Sequence, residues 1–127
     1  ALAPNRLGED ISVPRSEFPK AVRLIKEISK KHNLTIAVFG HAGDGNLHPS
    51  VLCDMNNPEE AKRAHEAVDD IFAAALSVGG TLSGEHGIGI TKKPYIIDAM
   101  GEAGVKAMKA MKQAFDPKGI MNPGKIW

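Results

Sequence analysis

Apolar positions along the chain keep two rhythms, a period of two and a period near 3.6, and the switches between them predict the elements. Residues 9–14, EDISVP, alternate weakly and stop at a proline, which predicts a short strand. Residues 16–32 predict a helix: Ser16 is placed to cap it, Pro19 sits in the first turn, and Phe18, Ala21, Val22, Ile25 and Ile28 fall on one face. The β-branched run LTIAVFGH, residues 34–41, predicts a buried strand, and NLHPSVLCD, residues 46–54, its partner after a turn. Asn57 caps the next helix, with Pro58 first and Glu59 and Glu60 at its positive end. Its inward stripe is Ala61, Ala64, Val68, Ile71, Phe72, Ala75 and Leu76, and Gly79 and Gly80 stop it. Residues 81–89, TLSGEHGIG, predict a short strand breaking into a glycine-rich loop. A last helix is expected from Gly104 to Phe115, with Val105, Met108, Met111 and Phe115 inward. The tail, DPKGIMNPGKIW, is too rich in Pro and Gly for regular structure.

The order is strand, helix, strand, strand, helix, strand, helix, tail. A hairpin in the middle requires antiparallel pairing, so the expected class is α+β, an antiparallel sheet with helices packed on one face. The split βαβ pattern is close to the ferredoxin-like arrangement. No internal repeat or low-complexity segment interrupts it.

Composition narrows the function classes. The 127 residues fit one domain, with 43% hydrophobic and 24% charged residues. A net charge of +1 without a basic block, and 5% aromatic residues, argue against a nucleic-acid or charge-driven membrane-surface binder. The single cysteine, Cys53, cannot form an internal disulfide and reads as a small core residue. No apolar stretch reaches transmembrane length, and the first residues lack the layout of a signal peptide. The expected location is cytoplasmic, with any membrane association through partner subunits. The missing initiator Met suggests that the chain begins partway through a longer protein.

The densest chemistry lies in FGHAGDGNLHP, residues 39–49. With Asp44 and Gly45 as a two-residue type I′ turn, His41 is paired directly with His48, and both rings meet on one face. A one-residue slip abolishes that pairing. Two converging imidazoles are half of a divalent transition-metal site, to which Glu85 of SGEHGIG could add a third ligand. His86, next in the chain, is then a candidate acid or base, and Gly84, Gly87 and Gly89 allow close approach of backbone and substrate. On pattern alone, a pair of histidines flanking a Gly-rich turn is more often a polar hairpin end than a metal site. His32 and His65 read as solvated, Lys92 and Lys93 as solvated, and Met108 and Met111 as core stripe.

Three segments, FGHAGDGNLHP, GGTLSGEHGIGITKK and AFDPKGIMNPGKIW, together resemble the C-terminal part of FAD-linked oxidases of the vanillyl-alcohol-oxidase type, the glycolate oxidase D subunit and D-lactate dehydrogenases among them. The resemblance spans nearly the whole chain. It implies that residues 1–127 form a C-terminal cap or substrate domain, and that the flavin is held mainly by an N-terminal domain absent from this chain. It implies a divalent metal, zinc, manganese or iron, on His41, His48 and Glu85. His86 matches the base that takes the α-hydroxyl proton, and Asn122 a residue beside the flavin. The implied reaction oxidises a small 2-hydroxy acid to the 2-oxo acid. The implied partners are that substrate, the FAD-binding domain or other oxidase subunits, and a second copy of the chain. The competing expectation is a non-catalytic α+β interaction module, in which the three ligand residues could change without loss of activity.

Overall fold

The strand Asn46–Cys53 is apolar or neutral throughout and buried along almost its whole length, which is the signature of a central strand. In the computed structural model, which describes residues 2–127, this strand has neighbours on both sides. We number the elements β1 (Asn5–Gly8), β2 (Ile11–Ser12), α1 (Phe18–His32), β3 (Thr35–His41), β4 (Asn46–Cys53), α2 (Pro58–Ser77) and α3 (Ile96–Phe115). The chain divides into two compact units, the first ending at Glu85 and the second running from His86 to Trp127.

In the first unit, β3 pairs antiparallel with one edge of β4, and β1 and β2 with the other. β1 and β2 share one continuous register, Gly8 opposite Ser50 and Ile11 opposite Leu47. They are one strand interrupted where it faces Pro49. Glu9 N–H still donates to Pro49 O at 2.9 Å, but proline has no N–H to return the second bond. The expected single strand over residues 9–14 is thus replaced by two pieces that begin earlier, at Asn5, and end at Ser12.

The expected strand over residues 81–89 does not form. A single antiparallel bridge joins Ser12 and Thr81, with N–H to O distances of 3.3 and 2.7 Å. The Gly-rich segment after it has too few ladder partners to extend. The layout is still antiparallel α+β, with α1 and α2 packed on each other and on the sheet. Ile25, Ile28, Ile71 and Phe72 of the helices are buried with Ile11, Leu47 and Val51 of the sheet. At roughly 25 cal/mol per Å² of apolar surface, each fully buried side chain of this size stabilises by about 1.5–3 kcal/mol.

α2 begins and ends as the sequence requires, and α1 ends on a left-handed residue. Asn57 Oδ1 accepts from Glu59 N–H (3.1 Å) and Glu60 N–H (3.3 Å), as expected of the cap. Gly79, at φ 73, closes α2 with Gly79 N–H to Leu76 O and Gly80 N–H to Ala75 O, a Schellman motif. Asn33, at φ 50, does the same for α1. Ser16 does not cap α1: it lies in a 3-10 turn, Arg15–Glu17, and α1 starts two residues later with no side-chain cap. His32 is buried, against the expectation of a solvated ring. Its Nε2 lies 2.6 Å from Asp70 Oδ2 on α2, and Arg63 Nε donates to its carbonyl at 3.1 Å. A polar end of α1 thereby becomes a clasp between the helices. His65 is exposed, as expected.

The second unit contains α3, which begins eight residues before its expected start. It breaks at Gly101, whose φ of 66° and ψ of 163° no helix contains. Val105 is buried as expected, but Met111 is 58% and Phe115 83% exposed, so the inward stripe does not extend that far. Lys92 is buried rather than solvated, whereas Lys93 is half-buried. Asp116 organises the tail: its carboxylate accepts from Ile120 N–H (3.0 Å), Met121 N–H (2.9 Å) and Lys112 Nζ. Those donors, the lysine first, hold the Asp116 carboxyl below the usual carboxylate range. Ile126 N–H donates to Gly89 O at 2.8 Å, which ties the C-terminal residues back to the glycine-rich segment.

Candidate metal centre

The hairpin between β3 and β4 closes with a four-residue loop, Ala42 to Gly45, instead of the expected two-residue turn. Asp44 N–H donates to His41 O at 3.0 Å, and Gly45 N–H to Ala42 O at 3.4 Å. Gly45 sits at φ 74, and a side chain there would strike the Val13 backbone, which packs against it through Val13 N–H to Gly45 O at 2.9 Å.

The longer loop moves the register by two. His41 is opposite Asn46, and His48 is opposite Phe39, so the expected direct pairing of the histidines is not made. Side chains alternate with period two, however, so a shift of two keeps both histidines on the same face as diagonal neighbours. Their ring centroids are 5.5 Å apart and the planes perpendicular. His48 is buried and His41 exposed.

Glu85 reaches the same point from the far end of the first unit. The Ser12–Thr81 bridge and the buried Leu82 lead the chain from α2 to the sheet end where the hairpin turns. Glu85 Oε1 then lies 3.2 Å from His48 Nε2. One ligand atom each from His41, His48 and Glu85 lies within 4.8 Å of the other two. With metal–ligand bonds of about 2.0–2.2 Å, a tetrahedral set has ligand atoms ~3.3 Å apart. The Glu85–His48 distance already meets that value. Closing the set to that spacing around an ion would require rotation of the two exposed side chains, His41 and Glu85. Two imidazoles and a carboxylate suit zinc, manganese or iron.

Two residues that the sequence reading passed over hold this arrangement. Asp10 is fully buried. Its Oδ1 accepts from Asn46 Nδ2 at 2.6 Å, and its Oδ2 accepts from Ser83 Oγ at 2.6 Å and from the N–H groups of Gly84 and Glu85 at 3.0 Å each. Asn46 Nδ2 also donates to Ile11 O at 2.9 Å. Both acceptors fix the amide's orientation, which leaves Asn46 Oδ1 as a buried acceptor with no partner among the described residues. Asn46 lines a cleft of about 170 Å³ together with Ser12, His41, Asp44, Gly84 and Glu85. An orphaned acceptor beside a three-ligand cluster fits a site that receives a polar occupant. Gly84 is required here because a Cβ would overlap the Asn46 amide. The available signal was an acid inside a short strand and an Asn at the start of an otherwise apolar one, each costly unless partnered.

His86 and Asn122 belong to the second unit, and both are exposed. Asn122 has φ 49 and accepts from Lys125 N–H at 3.3 Å. A second cleft of about 170 Å³ is lined by Lys93, Ile96, Ile97, Val105, Lys109 and Trp127, among others. Cys53 is buried, as expected, and desolvation, then Glu60 and Asp54, push its thiol up.

Comparison with known proteins places this geometry in context. The family described as FAD linked oxidases, C-terminal domain, matches residues 2–126. The chain is 47% identical over 126 residues to the glycolate oxidase subunit GlcD of Bacillus subtilis, covering 99% of the chain and 27% of that protein. It is 42% identical over 118 residues to D-lactate dehydrogenase [cytochrome] 1, mitochondrial, of Saccharomyces cerevisiae, covering 93% and 20%. Similarity to GlcD of Escherichia coli is 39% over 124 residues, covering 98% and 25%. The chain thus spans about a quarter or less of these relatives. Among solved structures, 4-ethylphenol oxidase from Gulosibacter chungangensis shares the fold with a TM-score of 0.64 at 20% identity, over 95% of this chain and 24% of that one.

Proposed function

The chain belongs to the family of FAD linked oxidase C-terminal domains, and from that premise we propose that it is the substrate-binding cap of an oxidoreductase that converts a small 2-hydroxy acid, of the glycolate or D-lactate type, to the 2-oxo acid. The observation that carries the reading is the convergence of His41, His48 and Glu85 from three segments within 4.8 Å. A surface hairpin with incidental histidines has no reason to draw a carboxylate from residue 85 to the same point.

His41, His48 and Glu85 are the residues that would hold the divalent metal. Bound there, the metal supplies Lewis-acid polarisation and a fixed anchor for the substrate's hydroxyl and carboxylate oxygens. The protein's own part is to bind, orient and move a proton. His86, next in the chain after Glu85, takes the proton of the α-hydroxyl in this reading. Its exposure suits a group that must meet substrate.

The family name implies FAD, which in this reading accepts the hydride. The chain spans about a quarter of its FAD-linked relatives. Flavin binding is therefore assigned to a separate FAD-binding domain, with Asn122 as the contact this chain offers to the flavin. Ile97, Met100, Met111, Phe115, Ile120 and Met121 are all exposed and support an apolar docking surface for that domain, for other oxidase subunits or for a second copy.

Calorimetric titration of the chain with zinc and with manganese tests the metal assignment, with His41→Ala, His48→Ala as the control. One equivalent bound by the parent and none by the double variant is the expected result. A folded parent chain that binds neither ion removes the metal from the reading.

A further inference from the structure

The three candidate ligands sit on different segments: His48 lies on the central strand β4, His41 at the end of β3, and Glu85 on the segment after α2. His41 and His48 flank the hairpin loop, while Glu85 stands in a segment without ladder partners beyond the single Ser12–Thr81 bridge. A side chain outside the cluster joins them. Asp10 lies at the break between β1 and β2, where the shared register carries it opposite His48 across the sheet.

Its two oxygens divide the work. Oδ1 takes the hairpin: it accepts from Asn46 Nδ2, and Asn46 is the direct cross-strand partner of His41. The same oxygen is 3.9 Å from His48 Nδ1, the ring nitrogen that does not face Glu85. Oδ2 takes the other segment: it accepts from Ser83 Oγ and from the N–H groups of Gly84 and Glu85. A carboxylate is acceptor-only, so it can collect all these donors at once. A buried carboxylate is retained only when so satisfied. Carboxylates that hydrogen-bond metal ligands commonly orient them, and their loss costs on the order of 10–100-fold in metal affinity; Asp10 does this directly for the Glu85 N–H, while its Oδ1, at 3.9 Å, stands behind His48 Nδ1 beyond hydrogen-bond reach.

We infer that Asp10 is the positioning residue of the metal centre, acting through Glu85 and His48 without itself ligating the ion. The inference rests on the metal reading above. It assigns the ligand class as a divalent cation, and it makes the Asp10 clamp the reason the three ligands stand together before any ion arrives.

The test is zinc affinity by calorimetry on the parent chain, Asp10→Asn, Glu85→Ala and the double variant, with thermal melting of each metal-free protein. Asp10→Asn is expected to weaken zinc binding at least tenfold. In the Glu85→Ala background the same change is expected to have a clearly smaller effect, because Asp10 acts through Glu85. A purely structural role would give losses that simply multiply, and that result overturns the inference. So does an Asp10→Asn affinity within threefold of the parent. Should Asp10→Asn fail to fold, Ser83→Ala, which removes one donor to the same oxygen, decides. A folded Ser83→Ala chain with weakened zinc binding supports the clamp, and unchanged binding overturns it. Failure of the parent chain to bind zinc strikes the metal reading itself and is distinguishable from every one of these outcomes.

Discussion

At the scale of single residues, burial and partners separate groups that look alike in the sequence. His41, His48 and Glu85 converge, whereas His65 stands on the surface and His32 is locked to Asp70. Removing one ligand from a three-ligand set leaves two, so Glu85→Ala is expected to weaken zinc binding at least 100-fold, read by calorimetry. The same change should lower kcat/KM for glycolate or D-lactate by about 10²-fold or more in a flavin-loaded enzyme that contains this domain. Cys53 makes the opposite point. Its thiol is buried and its deprotonation opposed by desolvation and two nearby carboxylates. Reaction with a thiol reagent at pH 8 is expected to be far slower than that of a free cysteine and to become fast on addition of denaturant. Rapid labelling of the folded chain would contradict this burial. Neither Asp10 nor Asn46 was legible as part of the site. Their roles depend on what lies across the sheet, which periodicity does not encode.

At the scale of elements, local chemistry was read well where the cause is local. Asn57, Pro58 and the Gly79–Gly80 pair bound α2 because capping uses only neighbours in sequence. Asn57→Ala is expected to cost about 1 kcal/mol. A domain of this size should then melt about 4 °C lower by differential scanning calorimetry. Helix pairing was not legible, because His32 at the end of α1 meets Asp70 only after both helices dock. The hydrogen bond from His32 leads the causes, ahead of that from Lys31, that hold Asp70 below the usual carboxylate range. A depressed carboxyl contributes stability that is fully present above the ordinary carboxylate value of about 3.9 and lost as pH falls through the lower folded value. Asp70→Asn should thus melt below the parent at pH 7, and the gap should narrow below about pH 4. A gap independent of pH would refute this linkage. The β3–β4 loop shows how an element can be misread with little harm. The turn took four residues because Gly45 packs on Val13, a contact between distant segments. The resulting shift was even, so the face of each histidine survived.

At the scale of the whole molecule, the proposed metal would be linked to folding. An ion that binds only the folded chain stabilises it by about 2.7 kcal/mol at 100 times its dissociation constant. Zinc is therefore expected to raise the melting temperature of the parent chain by several degrees and to leave the His41→Ala, His48→Ala variant unmoved, as scanning calorimetry would show. The sequence by itself determined the class of fold, the two helices of the first unit with both ends of α2, the hairpin strands and the residue types of the candidate centre. These follow from hydrophobic period, capping and turn chemistry, which act over a few residues. Tertiary structure alone decided that β1 and β2 are one strand broken opposite Pro49, that residues 81–89 make a bridge instead of a strand, and that α3 begins before Gly101 and leaves Phe115 exposed. It also decided that Asp10 gathers Asn46, Ser83, Gly84 and Glu85 around one carboxylate. The physical reason is common to the broken strand, the bridge and the Asp10 contacts. A hydrogen bond or a buried contact between segments more than thirty residues apart depends on register and docking, and a one-residue change in either redirects every side chain involved.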